Sequence, residues 1–585
     1  MAQFFKYFFA ALLAIIVFFM LVIFLLFGIA GAIASQEDVV LEPHSVLFLD
    51  LGKGINEQAK ENLFGSLGVD DEQETPGLYD IIQMLRFAKS DDQVDGIYLK
   101  CGANANGMAT NEEIRNALLD FKTSGKFILA FGEVIPQQAY HVADIATKLY
   151  VHPKGGVDWK GFGMQYIFFK KALDRLEIQP QIFYAGKFKS ATEPFREERM
   201  TAANKLQSKV LLEDLYQHFI FKAATARKLD SAQLRKLADL NSIHSATDAL
   251  NAGLVDGLKY EDEIKEEIRR NSGGTTIDDI HFVSMAKYAA AVNYKGGKGT
   301  DRIAIIYAQG DIVDGGGSEE QIGGDRFRRF IRKARLDDKI KAIVVRINSG
   351  GGSAMASENM WREIGLAKKD KPVVVSYGDV AASGGYYMAC NADSIFALPN
   401  TITGSIGVFS IIPNLQGFFK DKLGVTFDGV ETSPSANSPS LAEPLTEIER
   451  NYFQSGVDSI YQTFLERVAE GRKMDLAMVD SISQGRVWTG NRAINIGLVD
   501  RIGGMADAMA AAAKLAKLKE YRTREFPEKL NLIERLTGAY KQTVGTSAIK
   551  KEMGDELFQI YTDWQLIQSN IGQAQTKMPF RIIFK

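Results

Sequence analysis

The chain has 585 residues, 46% of them hydrophobic and 24% charged, with a net charge of −3. That length exceeds what one hydrophobic core holds and suits two domains of roughly 200–250 residues with extensions. The composition excludes a disordered chain and the basic excess of a nucleic-acid binder. The two cysteines, Cys101 and Cys390, allow at most one bridge and lack C-x-x-C ligand spacing, so they are expected as buried apolar residues and no metal site is expected.

From Tyr7 to Gln36 there is no charged residue, and the apolar run is longer than the about 20 residues that a helix needs to cross a bilayer. Residues 1–36 are therefore expected to form a membrane anchor. Ala32-Ile33-Ala34 has the small-x-small form of a cleavage site, but the run exceeds the roughly 7–15 apolar residues of a cleaved signal peptide. Lys6 flanks one end and Glu37 and Asp38 the other, which places the N-terminus in the cytoplasm and the rest of the chain outside.

Two similar halves follow. Laying Asp91-Asp92 on Asp337-Asp338, 246 residues further on, pairs Gly77 with Gly323, Glu112 with Glu358, Gly132 with Gly378, Tyr140 with Tyr386 and Gly161 with Gly407 without a gap. In the first half, strands are expected at Ser45–Leu51, Gly96–Cys101 and Phe127–Phe131, with helices at Gly77–Ala88 and Asn111–Thr123. The second half repeats them, with strands at Arg302–Tyr307, Ala342–Ile347 and Pro372–Tyr377 and helices at Gly324–Leu336 and Ala354–Lys369. Alternating β-branched runs and helical stretches argue for an α/β fold of βα units, with a largely parallel sheet covered by helices in each half. Both halves end in Gly-Leu-Val-Asp, at Gly253–Asp256 and Gly497–Asp500. The expected organisation is a first repeat over 37–270, a polar, Gly-rich linker over 271–300, a second repeat over 301–515 and a helical C-terminal extension over 516–585.

The halves differ where chemistry is expected. Ser383 follows a strand and precedes Gly384-Gly385 and an apolar helical stretch, whereas the first half has Gln137 in its place. A serine at a strand-to-helix turn is exposed for attack, and the Gly384 amide can donate to an oxyanion. The same Ser-Gly turn also reads as a plain helix N-cap, and the leading glycine of the G-x-S-x-G elbow is missing. Asn348-Ser-Gly-Gly-Gly-Ser353 follows the preceding strand. It reads either as a second source of oxyanion amides or as a turn, and not as a phosphate loop, because it lacks the Gly-Lys-Ser/Thr ending. A serine nucleophile needs a base. All six histidines (44, 141, 152, 218, 244 and 281) precede the second half, which makes a Ser-His-Asp triad weak. Lysine, deprotonated by burial, is the other common base. Ala185-Gly-Lys-Phe-Lys-Ser-Ala-Thr-Glu-Pro-Phe195 stands out, because the second half has no lysine between Lys422 and Lys473. Spacing alone leaves Lys187 and Lys189 both open.

Together these motifs resemble the signal peptide peptidase A family, in its long, internally duplicated bacterial form, and the resemblance spans nearly the whole chain. It implies two tandem Clp protease/crotonase-like domains and a serine endopeptidase at the membrane. The family's A-A-S-G-G-Y segment puts the nucleophile on Ser383, and its G-K-Y/F-K-S-A-x-E-P-F segment puts the general base on Lys189. Thr403-Gly-Ser-Ile-Gly407 matches the segment whose serine positions the lysine, here Ser405. The oxyanion loop N-S-P-G-G-S appears with Gly350 in place of proline, and it assigns donors to Gly384 and to Gly351 or Gly352. No cofactor or metal is implied. The implied substrates are signal-peptide remnants and other hydrophobic peptides, and the implied location is the bacterial inner membrane, with the catalytic part on the periplasmic side. A homotetramer is implied as well. Tyr386, Tyr387 and Met388 suit either an apolar substrate pocket or helix core. An acyl-CoA hydratase or isomerase of the crotonase fold would share the oxyanion loop but needs neither the Ser-Lys pair nor a membrane span, and an inactive scaffold would lack nucleophile or base.

Overall fold

The structure, a computed structural model, describes residues 2–34, 40–59, 76–528 and 574–578. Helix Ala2–Ala34 opens it. Its stretch Gln3–Leu21 has a mean hydropathy of 2.4 and is long and apolar enough to cross a membrane.

The strands of the first half are β1 (Ser45–Asp50), β2 (Val94–Lys100), β3 (Phe127–Ile135), β4 (Lys148–Val157), β5 (Gln179–Ala185), β6 (Gly257–Leu258) and β7 (Phe282–Ser284). All except β5 form one parallel sheet in the order β6-β4-β3-β2-β1-β7. In the second half come β8 (Arg302–Gln309), β9 (Asp311–Val313), β10 (Gln321–Gly323), β11 (Ile340–Ser349), β12 (Gly351–Ser353), β13 (Val373–Ala382), β14 (Ser394–Ala397), β15 (Ile402–Gly404), β16 (Val408–Asn414), β17 (Val487–Thr489), β18 (Arg501–Ile502) and β19 (Arg522–Phe526). Its main sheet runs β17-β15-β13-β11-β8-β19, with β14 and β18 branching from β13. Ile343, Val344, Val345, Val373, Val374 and Val375 are fully or almost fully buried. That is the mark of parallel strands covered on both faces, where consecutive rather than alternate residues must be apolar.

A third sheet crosses the boundary between the halves in the order β10-β9-β12-β20-β16-β5, where β20 is Gln575–Lys577. In it β5, from the first half, pairs antiparallel with β16 from Val408↔Ala185 to Asn414↔Gln179. Buried polar bonds also join the halves. Arg346 on β11 is fully buried and donates to Glu57 at 2.8 Å and Glu113 at 2.6 Å, both from the first half. Asp379 accepts from the amides of Ala109 and Thr110 at 2.9 Å each and from the Thr110 hydroxyl at 2.7 Å. It therefore caps helix Met108–Lys122 of the other half with a carboxylate, which the exposed amides and the helix dipole both favour.

Two expectations change. Residues 271–300 are not a simple linker, because β7 extends the first sheet beside β1 and helix Met285–Ala291 follows it. Val283, Met285 and Tyr288 are buried there, and the Tyr288 hydroxyl bonds Asp91 at 2.8 Å. Where it is described, the C-terminal extension supplies strands rather than helices. β19 runs parallel to β8, burying Phe526, and β20 lies in the third sheet. The remainder of that expected helix, residues 529–573 and 579–585, lies outside the described residues. Cys101 and Cys390 are free and buried.

Candidate active site

β13 ends at Ala382, and the chain then turns sharply into the short helix Gly384–Tyr387. Ser383 makes that turn with φ 55° and ψ −115°. A non-glycine residue in this region costs on the order of 1–3 kcal/mol and persists only where the surroundings over-determine it. Here they do, for the Ser383 amide donates to the Gly404 carbonyl at 2.7 Å, and its own carbonyl accepts from Tyr387 at 2.8 Å. The turn is thus not an N-cap, since no side-chain capping bond is made, and the hydroxyl is free to point elsewhere.

It points at Lys189. β5 delivers the lysine by docking on β16, after which the chain turns at Gly186 (φ +109°). The Phe188 amide donates to the Gln484 carbonyl at 2.7 Å, and Gln207 Nδ-type amide support comes from Nε2, which donates to the Phe188 carbonyl at 2.9 Å and to Ser190 Oγ at 3.0 Å. Gly485 leaves the room, since a Cβ there would lie 2.6–2.7 Å from Lys189 N, Cα and Cβ. Lys189 ends 1% exposed. Its Nζ donates to Ser383 Oγ at 2.8 Å, to the Ser405 carbonyl at 3.0 Å and to Ser405 Oγ at 3.1 Å. Burial pushes the ammonium well below its ordinary pKa, because a charge taken from water is disfavoured unless a partner charge compensates. Lys187, two residues earlier, is exposed and lies 5.9 Å over the Phe188 ring.

Ser405 also has a positive φ, 52°, and its amide donates to the Arg486 carbonyl at 2.7 Å. Two strained serines therefore face one lysine. Gly384 and the glycine loop meet as well, since a Cβ on Gly351 would lie 2.7 Å from the Gly384 nitrogen. Gly351 has φ +100° and donates its amide to Ser349 Oγ at 3.1 Å, while Gly352 pairs with Thr576 of β20. Gly350, standing where the resembling family has proline, does not have a positive φ.

Of the apolar trio after the serine, Tyr386 and Met388 belong to the core, and Tyr387 also borders a cavity of about 310 Å3 together with Met355, Ile460 and Ala574. In the first half Gln137 closes the equivalent place, with its carbonyl accepting from the amides of Lys160 and Gly161 and its amide donating to Gly161. His141 and His218 converge on Glu112, at 2.7 and 3.1 Å. These are metal-ligating residue types, but Lys222 Nζ holds the other Glu112 oxygen at 2.7 Å. The second half repeats the pattern with Glu358, Tyr387 and Arg467, which cannot bind a metal in that way. The trio is accordingly a polar tie between helices, and burial pushes His141 down to about 4.

Sequence reasoning did not single out Asp379, Arg346, Glu57, Glu113 or Gln207. Only Asp379 carried a local signal, standing four residues before Ser383. Glu193, inside the lysine segment, binds the Thr201 hydroxyl at 2.6 Å and Asn204 at 2.9 Å, and so holds the segment to the following helix.

The profile of Peptidase family S49 matches residues 120–273 and 366–519, two stretches set 246 residues apart like the repeat itself. The chain is 35% identical to Protease 4 of Salmonella typhi over 83% of this chain and 81% of that one. It is 30% identical to the chloroplastic serine protease SPPA of Arabidopsis thaliana over 88% and 76%. A putative signal peptide peptidase SppA of Enterococcus faecium is 34% identical over 39% of this chain and 68% of its own. With the duplicated parallel sheets, these likenesses define the class, a serine protease on an α/β scaffold. The chain belongs to peptidase family S49.

Proposed function

We propose that this is a membrane-anchored endopeptidase in which Lys189 is the general base for Ser383. The observation that carries the reading is the 2.8 Å bond between Lys189 Nζ and Ser383 Oγ, made by a lysine whose proton affinity burial has lowered. A neutral Lys189 takes the hydroxyl proton as Oγ attacks the peptide carbonyl carbon, and the carbonyl electron pair moves onto oxygen. Amides of Gly384 and of the 351–352 loop stabilise that oxyanion. Collapse of the intermediate breaks the C–N bond, and the Lys189 ammonium returns its proton to the leaving amine. Water, deprotonated by Lys189, then releases the acyl group. Ser405 positions the lysine through its two contacts. No step draws on a cofactor.

The proposed substrates are hydrophobic peptides, cleaved signal peptides among them. Three observations support this: the apolar cavity bordered by Met355, Tyr387 and Ile460, the apolar helix Ala2–Ala34 that would hold the enzyme at a bilayer, and the printed name of the Enterococcus faecium relative. Lys6 against Glu37 and Asp38 supports an inner-membrane enzyme with its catalytic part outside the cytoplasm. The repeat boundaries at 37–270 and 301–515 and a tetrameric assembly belong to the same proposal, the latter resting on family resemblance alone. Hydrolysis of an apolar peptide by the detergent-solubilised chain, set beside the same chain carrying Ser383→Ala, tests the reading. Equal turnover by both would remove Ser383 as the nucleophile.

A further inference from the structure

The third sheet contains a strand that its neighbours do not need. β12, which holds Gly351 and Gly352, and β16, which docks the lysine-bearing β5, do not pair with each other. Between them lies β20, drawn from the far end of the chain and antiparallel to both. The register is Gly351↔Lys577, Gly352↔Thr576 and Ser353↔Gln575 on one side and Phe409↔Gln575 on the other. Bonds beyond the ladder extend it. The Met578 amide donates to the Gly350 carbonyl at 2.6 Å, the Ala354 amide to the Ala574 carbonyl at 3.4 Å, and the Thr576 hydroxyl to the Gly352 carbonyl at 3.1 Å.

The segment lies against the reacting groups. A Cβ on Gly351 would fall 2.0 Å from the Thr576 carbonyl oxygen, and one on Gly384 would fall 2.8 Å from Thr576 Oγ1 and 3.1 Å from that same carbonyl oxygen. The two glycines assigned to the oxyanion hole therefore pack on one peptide unit of the chain's own tail. Thr576 is fully buried, and Met578 packs with Leu211, Leu215, Ala382, Ile402 and Val487. At the other end Ala574 borders the 310 Å3 cavity. Two strand edges one strand apart, beside a serine and its lysine, form a slot for any extended peptide. Ladder bonds there are made by backbone alone and so do not depend on sequence.

We infer that residues 574–578 are an internal peptide ligand of the substrate slot, which a substrate must displace before Ser383 can reach its carbonyl. The inference rests on reading Ser383 as the reacting group, but the occupancy of the slot can be measured without chemistry. The occupant is committed, namely this chain's own Gln573–Pro579 region, held by strand pairing and by the Met578 side chain. Met578→Asp puts a carboxylate into the apolar contact and should free the segment in an otherwise complete chain.

The test uses Ser383→Ala chains, with and without Met578→Asp, and a fluorescent peptide of the sequence of residues 572–580. The peptide is expected to bind the Met578→Asp chain at least about tenfold more tightly than the chain with Met578 intact. In the chain with Ser383 present, Met578→Asp is expected to lower KM for a short apolar peptide by a similar factor and to leave kcat nearly unchanged. A chain ending at residue 573 should behave as Met578→Asp does, and its melting curve separates release of the tail from loss of the fold. Equal peptide affinity in both Ser383→Ala chains, or a KM that neither change moves, would overturn the inference. Tight peptide binding without any hydrolysis by the Ser383 chain would leave the inference standing and defeat the proposed dyad instead.

Discussion

Nζ of Lys189 and Oγ of Ser383 lie 2.8 Å apart across 194 residues of chain, and the partners of that lysine are two hydroxyls and a carbonyl, all neutral. A lysine so placed is useful only without its proton. As its pKa is pushed down by burial, kcat/KM should be low when Lys189 is protonated and rise with pH through one ionisation well below the ~10.4 of free lysine. A pH–rate profile on an uncharged peptide checks this. A rise centred near 10.4, or none at all, would count against a buried lysine base.

The same burial predicts a stability cost. An unfolded lysine keeps its proton up to about pH 10.4, whereas folded Lys189 has given it up at a lower pH, so unfolding takes up a proton between those two values. Stability should accordingly rise with pH across that window. Lys189→Met, which fits an apolar side chain into the same space, should raise Tm at neutral pH while abolishing turnover. Its advantage should shrink toward pH 10. Calorimetry of the two chains at several pH values makes the comparison, and a lower Tm for Lys189→Met at every pH would show that the lysine's bonds outweigh its desolvation.

Arg346→Met removes the cation that Glu57 and Glu113 share in the seam between the halves. Both carboxylates are buried, and stripping a partner from a buried ion pair costs about 3–5 kcal/mol. A clear fall in Tm is expected, together with loss of activity, because the same seam positions Lys189 against Ser383. Partial rescue by Glu57→Gln with Glu113→Gln in the Arg346→Met background would confirm that unpaired charge is the cause.

The parts of this molecule that were legible in sequence are those set by local physics. Runs such as Ala342–Ile347 and Pro372–Tyr377 must be strands buried on both faces, and the structure extends them to Ile340–Ser349 and Val373–Ala382. The turn at Ser383 was legible from the glycines after it. The lysine was legible only as a segment, because what carries it to the serine is the pairing of β5 with β16 across the two halves, a long-range contact with no local periodicity. Arg346 and its two glutamates were invisible for the same reason, since an arginine inside a strand reads as a solvent-facing residue until its partners arrive from elsewhere in the chain. The 271–300 segment misled by its glycines, which flank a short strand and helix that a neighbouring sheet holds in place. Residues 574–578 have no strand signal of their own, and they are a strand because two edges accept them.

Topology gives a separate prediction. If Lys6 holds the N-terminus in the cytoplasm, a protease added outside intact spheroplasts should degrade everything after residue 36, whereas protection until the membrane is broken would reverse the proposed orientation.

The central claim, that Lys189 and Ser383 act as one unit within one chain, is tested most directly by single-turnover kinetics of Lys189→Ala, Ser383→Ala and the double variant, with Lys187→Ala as the neighbouring control. Groups that act together are strongly non-additive, so each single change should abolish peptide hydrolysis nearly as completely as both, while Lys187→Ala keeps most of it. Substantial hydrolysis by Lys189→Ala, or loss on Lys187→Ala as deep as on Lys189→Ala, would contradict the account.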